Sequence, residues 1–130
     1  MEGFVYLIGE ENDNGRYKIG STRKHKIEDR LKQLQTGNSE KLFIKSYYHT
    51  DYPFKLEKML HNRFKSCNVN GEWFELNEDS VTNFHETCDK LQHIIDSLRD
   101  NPFFWRKLRN PAEIIFIFST GFLLIYGTIY

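Results

Sequence analysis

The sequence predicts an α/β chain of the α+β kind: a small, mostly antiparallel three-stranded sheet flanked by helices, then a separate hydrophobic C-terminal helix. Three observations carry this. Two short runs, Gly3–Ile8 and Tyr17–Thr22, alternate around a polar segment that ends in Asn14-Gly15, the pattern of a β-hairpin with a long loop. Apolar residues recur at helical spacing at Ile27, Leu31 and Leu34, at Leu56, Met59, Leu60 and Phe64, and from Val81 through Phe84, Cys88, Leu91 and Ile95 to Leu98. Finally, Ile114 to Tyr130 contains no charged residue.

Within the hairpin, alternation places Tyr6 on the face opposite Val5 and Leu7, and Lys18 on the face opposite Tyr17 and Ile19. A hydroxyl and an ammonium therefore converge on one face. Ser21 or Thr22 is expected to cap the first helix and Gly37 to stop it, with Glu28 and Lys32 in the favourable order four apart. Arg30 lies off that helix's apolar stripe, so the core does not require it. Lys41 to His49, aromatic and apolar with polar interruptions, reads as the third strand. Asp51 is expected to cap the second helix, with Pro53 in its first turn, and Glu57 and His61 fall together on the edge of its buried stripe. Gly71 to Leu76 reads as a turn and a short strand with Trp73 in the core, and Asn77 to Ser80 leads into one regular helix through Leu98.

The 130 residues support a single core, and a formal net charge of zero excludes coating of nucleic acid by bulk charge. The distribution is uneven. Arg16, Lys18, Arg23, Lys24, Lys26, Arg30 and Lys32 meet only Glu28 and Asp29, whereas the acids between Glu72 and Asp89 meet no Lys or Arg. A dipolar molecule with a basic end suits phosphates. Cys67 and Cys88 stand alone without an N-terminal apolar segment, which points to reduced thiols and an intracellular setting. His85, Cys88 and His93 do not read as a zinc site, because Cys88 belongs to the helix stripe.

Val5-Tyr6-Leu7 followed by Lys18-Ile19-Gly20 resembles the paired strand motifs of the GIY-YIG nuclease superfamily, and specifically its viral and phage branch of T5orf172/MUG113-type domains. The sequel keeps the family's order: Arg30 in Glu28-Asp29-Arg30-Leu31, then Leu56-Glu57-Lys58-Met59-Leu60-His61, then Gly71-Glu72-Trp73-Phe74. The resemblance covers about residues 3 to 76. It implies a Mg²⁺-dependent endonuclease, with Mn²⁺ as the substitute metal, acting on DNA. Tyr6 would activate water, Arg30 would hold the scissile phosphate with its forked donors, and Glu57 would carry the metal. Two positions depart from the pattern. Lys18 stands where the second tyrosine is usual, with Tyr17 one position out of register, and Leu34 replaces the His or Tyr that many relatives carry. If its ammonium faces Tyr6, Lys18 would lower the phenol's pKa. His49 and His61 are the available proton carriers, and Glu72 is a supporting carboxylate. Arg16, Arg23, Lys24, Lys26 and Lys32 would supply phosphate contacts.

The expected layout is a nuclease domain over residues 1–100, a linker over 101–113 and a transmembrane tail anchor over 114–130. Asn101-Pro102 breaks the helix, Phe103, Phe104 and Trp105 suit a membrane interface, and Arg106, Lys107 and Arg109 match the positive charge of a cytosolic flank. About seventeen uncharged residues is the lower limit for a spanning helix. This places the domain on the cytosolic face of a membrane, or in the cytoplasm if the tail is a buried strand pair. The altered motif and neutral charge also allow a second reading, an inactive nucleic-acid-binding or scaffold protein that keeps the nuclease fold at a membrane.

Overall fold

The computed structural model of the chain describes residues 2–105, apart from Asp13 and Lys24. The described residues fall into two compact units, the first ending at Leu91 and the second beginning at Gln92.

In the first unit, β1 (Gly3–Glu10) and β2 (Arg16–Thr22) form the expected hairpin. They pair antiparallel with Tyr6 opposite Gly20 and Ile8 opposite Lys18. Gly15 closes the loop at φ 77°, a left-handed conformation that costs glycine nothing and other residues strain. Strand β3 (Leu42–Thr50) pairs with the other edge of β1, Tyr6 opposite Tyr47, with a register shift between Leu7 and Ile8. Two short strands, β4 (Asn68–Asn70) and β5 (Trp73–Glu75), extend the sheet beyond β2. The sheet therefore has five strands, all antiparallel, in the order β3-β1-β2-β5-β4, rather than the expected three. The addition comes from pairing of Arg16–Lys18 with Trp73–Glu75 across more than fifty residues of chain, a contact with no local signature.

Helix α1 (Ile27–Gln35) covers one end of the Tyr6 face, where Tyr6, Ile8, Ile27 and Leu42 form a buried cluster flanked by Leu31, Leu34 and Trp73. Helix α2 (Pro53–Arg63) packs against β1, β2 and β3. Its buried residues Leu56, Met59 and Leu60, together with Phe64, are those the spacing predicts. Two expected caps are corrected. Ser21 and Thr22 stay in β2, and α1 begins after Lys26 with no side-chain cap. At α2 the cap position is Tyr52, not Asp51; the Tyr52 N–H donates to Thr50 Oγ1 at 3.0 Å and Pro53 supplies the first turn.

The third predicted helix is two: α3 (Glu78–Thr82), capped by Asn77 Oδ1 accepting from the Ser80 N–H at 2.8 Å, and α4 (Phe84–Leu98). Near its start, α4 meets β3 through the Tyr48 hydroxyl, which donates to Asp89 Oδ1 at 2.6 Å, and through the Tyr48 and His85 rings, 5.0 Å apart. Cys88 is fully buried, and burial pushes its thiol up to about 12, so it is an inert core thiol.

Within residues 92–105, the end of α4 buries Ile95 and Leu98. Asn101 then starts the single turn α5 (Pro102–Trp105) by accepting from the Phe103 N–H at 2.9 Å. No helix among the described residues is long and apolar enough to cross a membrane. The expected anchor, 114–130, and the bases Arg106, Lys107 and Arg109 lie outside the described residues.

Candidate active site

Tyr6 sits at the centre of the sheet with no exposed surface. Its ring fills the space above Gly20, directly across the hairpin: a Cβ added at Gly20 would overlap the Tyr6 hydroxyl and ring carbons. Glycine is needed here for room, since its backbone is ordinary extended strand. This explains physically why a strand interior carries a glycine.

The Tyr6 hydroxyl accepts from Arg30 Nε at 3.3 Å, and Arg30 Nη1 donates to Gln33 Oε1 at 2.8 Å, one turn along α1. Helix α1 thus delivers a guanidinium to the phenol and braces it from the same helix. Burial pushes the Tyr6 pKa above its ordinary value; Arg30 opposes the rise, and the carboxylates of Glu72 and Glu57 reinforce it. Burial wins, so Tyr6 is a neutral phenol at physiological pH.

Lys18 does share the Tyr6 face, but its ammonium turns to Glu72 Oε2 at 3.0 Å and lies 5.8 Å from the centre of the Trp73 ring. The expectation that Lys18 tunes the phenol is corrected: the cation beside Tyr6 is Arg30, because β5 brings Glu72 alongside β2 and captures the lysine. Tyr17, as expected, faces the other way and is buried, opposite Phe74.

Glu57 and His61 occupy the outer edge of β2 where β5 stops. The last ladder bond there runs from the Ile19 N–H to the Glu72 carbonyl at 3.0 Å. Beyond it, His61 Nε2 donates to the Ile19 carbonyl at 2.8 Å, and Glu57 accepts from both the hydroxyl and the backbone N–H of Ser21. Two side chains one helical turn apart thus satisfy backbone groups two residues apart on a strand, replacing the missing neighbour. Burial and, next, the charge of Glu72 push the Glu57 pKa above its ordinary value, against the opposing effects of His61 and Ser21.

The remaining expected residues scatter. His49 pairs with Glu2 at 2.9 Å near the far end of β3. Arg16, 3.8 Å from Glu75, and Arg23, stacked 4.6 Å from the Phe54 ring, stand at opposite ends of β2, about 20 Å apart. Lys26 precedes α1, Lys32 lies in its last turn, and Lys24 falls outside the described residues. The basic stretch is therefore not one patch. Gln33 joins the site without having been singled out, its one signal being its place three residues after Arg30; the sequence reading takes Gly20 only as part of the Lys18-Ile19-Gly20 motif and Ser21 only as a helix cap, neither as a site residue.

No group of three or more His, Cys, Asp or Glu side chains is placed to hold a metal ion among the described residues. Mg²⁺, however, is commonly held by one or two carboxylates plus substrate phosphate oxygens. Glu57, whose ionisation the nearby Glu72 makes more costly, and Glu72 itself fit that donor set.

The T5orf172 domain model matches residues 3–90. The chain belongs to the T5orf172 domain family. The match takes in β1 to β5, α1 to α3 and the first half of α4, and so contains every residue of the site. The GIY-YIG superfamily is the general setting of this domain. No curated protein and no solved structure matches the chain.

Proposed function

We propose that this T5orf172 domain is a Mg²⁺-dependent endonuclease that hydrolyses phosphodiester bonds in DNA. Membership of the T5orf172 family supports a nuclease-like, DNA-binding domain. The observation that carries the endonuclease reading is the convergence of a buried phenol, a guanidinium and two carboxylates from β1, α1, α2 and the turn before β5, near enough that Arg30, Glu57 and Glu72 all shift the titration of Tyr6.

Arg30 binds the scissile phosphate through Nη2 and the second N–H of Nη1, the guanidinium donors not engaged by Tyr6 and Gln33. The phenolate form of Tyr6, a small fraction at neutral pH and stabilised by the Arg30 Nε–H, takes the proton of the attacking water at Oη, a contact that the bound strand must open because the ring is fully buried in the free protein. Glu57, with Glu72 beside it, would hold Mg²⁺ or Mn²⁺, which when bound would supply charge neutralisation for the departing 3′-oxygen. Lys18 positions Glu72. His61 is committed to the Ile19 carbonyl, so it serves as a brace for α2 rather than as a proton carrier. Residues 114–130 tether the domain to the cytosolic face of a membrane.

The test is nicking of DNA in Mg²⁺ that disappears in EDTA and in Arg30→Ala and Glu57→Ala. A folded wild type that leaves duplex, single-stranded and branched DNA intact with Mg²⁺ and Mn²⁺ overturns the reading. The closed Lys18–Glu72 pair and the neutral Tyr6 favour one other reading, a fold that binds DNA without turnover. Equal binding and no cleavage in both wild type and Lys18→Met would select it. For the tether, deletion of 114–130 should move a tagged protein from the membrane fraction to the supernatant.

A further inference from the structure

The Tyr6 face of the sheet is only half covered. Helix α1 seals the end that carries Ile8 and Leu42, whereas Tyr47, directly opposite Tyr6 on β3, is 50% exposed. The Phe4 ring lies 5.8 Å from Tyr47 and 5.3 Å from His49, edge-on to both. Three aromatic rings thus stand in a row, Tyr47 and His49 exposed and Phe4 between them half-buried against the Tyr6 cluster, with Tyr47 on the strand beside the phenol of the candidate site. Directly opposed strand residues have Cβ atoms about 5 Å apart, and the Tyr6 ring leans the other way, over Gly20, so a base resting on Tyr47 would sit across the Tyr6 ring from the phosphate at Arg30, within the span of a nucleotide or two of the same strand.

The charge around this row is cationic on the side facing the site. Arg30 lies toward Tyr6, whereas Arg23, next to Thr22, alternates to the opposite face and spreads its guanidinium over Phe54 of α2. The acid at the row, Glu2, is engaged by His49 at the outer end. Exposed rings on the face that also carries the Arg30 guanidinium match a strand that offers flat π-faces and phosphates together. In a duplex those π-faces are covered by neighbouring base pairs.

We propose that Tyr47, supported by Phe4, is a stacking platform for an unpaired base of single-stranded DNA within a nucleotide or two of the phosphate held at Arg30. This deepens the nuclease reading and rests on it for the position of the phosphate. The platform makes the protein prefer single-stranded over double-stranded DNA, and its contribution is sequence-tolerant because every base has a π-face.

The experiment measures binding of the full chain in EDTA, where no cleavage competes, to a single-stranded oligonucleotide containing 2-aminopurine and to the corresponding duplex. Wild type is expected to bind the single strand more tightly and to quench the probe. Tyr47→Ala should weaken single-strand binding by roughly tenfold or more and abolish the quenching, while leaving duplex binding within about twofold. Tyr47→Phe, which keeps the ring, should retain both binding and quenching. Equal affinity for the two forms, no measurable binding to either, or a Tyr47→Ala protein indistinguishable from wild type overturns the platform. The two readings separate cleanly: single-strand preference lost in Tyr47→Ala without any cleavage in Mg²⁺ sinks the nuclease and keeps the platform. Cleavage with unchanged preference does the reverse.

Discussion

Val5 and Leu7 point to one side of β1 and Phe4, Tyr6 and Ile8 to the other, and the two sides differ in what covers them. The Val5 side carries only apolar groups at its centre, with Val5, Leu7 and Ile19 fully buried. Helix α2 packs on these strands, and Tyr48 ties the start of α4 to the same side. The Tyr6 side is closed by α1 at one end and open at Tyr47 at the other, and its central residue is a polar ring that fits only because Gly20 has no side chain. One strand thus anchors a core with one set of residues and builds a site with the alternate set. The site carries the costs of a buried phenol and of neighbouring carboxylates, and the Val5 side supplies the stability that tolerates them.

The comparison can be broken most forcefully from the apolar side. Leu7→Ala should lose about 2–5 kcal/mol in denaturant unfolding, the range for emptying a packed leucine site, with activity lost only as the protein unfolds. Gly20→Ala acts on the other side of the hairpin. The added methyl must displace the Tyr6 ring, costing about 1–3 kcal/mol and abolishing cleavage even at temperatures where circular dichroism shows a folded chain. A Gly20→Ala protein with wild-type activity would mean that the ring's position is immaterial.

Glu57 sharpens the contrast through pH. Its pKa is raised in the fold, so its favourable contribution is complete below the ordinary carboxylate pKa and is lost as pH rises through the folded value. Glu57→Gln should therefore gain thermal stability relative to wild type as pH increases from about 4 to 7, by a few degrees at most, while losing cleavage. A difference independent of pH would contradict a buried, repelled carboxylate. Smallest of all is Arg16→Ala: its pairing with Glu75 is exposed and long, and stability should change by less than about 0.5 kcal/mol. DNA binding should change less than in Arg30→Ala, since Arg16 stands at the wrong end of β2.

Much of this arrangement was legible in the sequence, and the limits have physical causes. The hairpin could be read because polarity alternation and Asn14-Gly15 are local signals, and α2 because Leu56, Met59 and Leu60 fall on one stripe. The common face of Tyr6 and Lys18 followed from alternation alone. What Lys18 does there depends on Glu72, brought alongside by the pairing of β2 with β5, and no local pattern encodes that pairing. For the same reason the extra strands were missed. Ser21 has the chemistry of a helix cap, but Glu57 engages both its hydroxyl and its backbone N–H at an unpaired sheet edge, and α1 starts without it. The position of Arg30 off the apolar stripe was readable, whereas its bond to the phenol required the packing of α1 on the Tyr6 face.

The most direct measurement is single-turnover DNA cleavage by Tyr6→Phe beside wild type across pH 6 to 9 in Mg²⁺. The substitution removes one oxygen and leaves the ring above Gly20 in place. The account predicts a wild-type rate that climbs about tenfold per pH unit, because phenolate is the reactive form, and a folded Tyr6→Phe protein slower by a factor of about 10² to 10⁴. A Tyr6→Phe protein that cuts DNA at the wild-type rate, or a wild-type rate flat across this range, would contradict it.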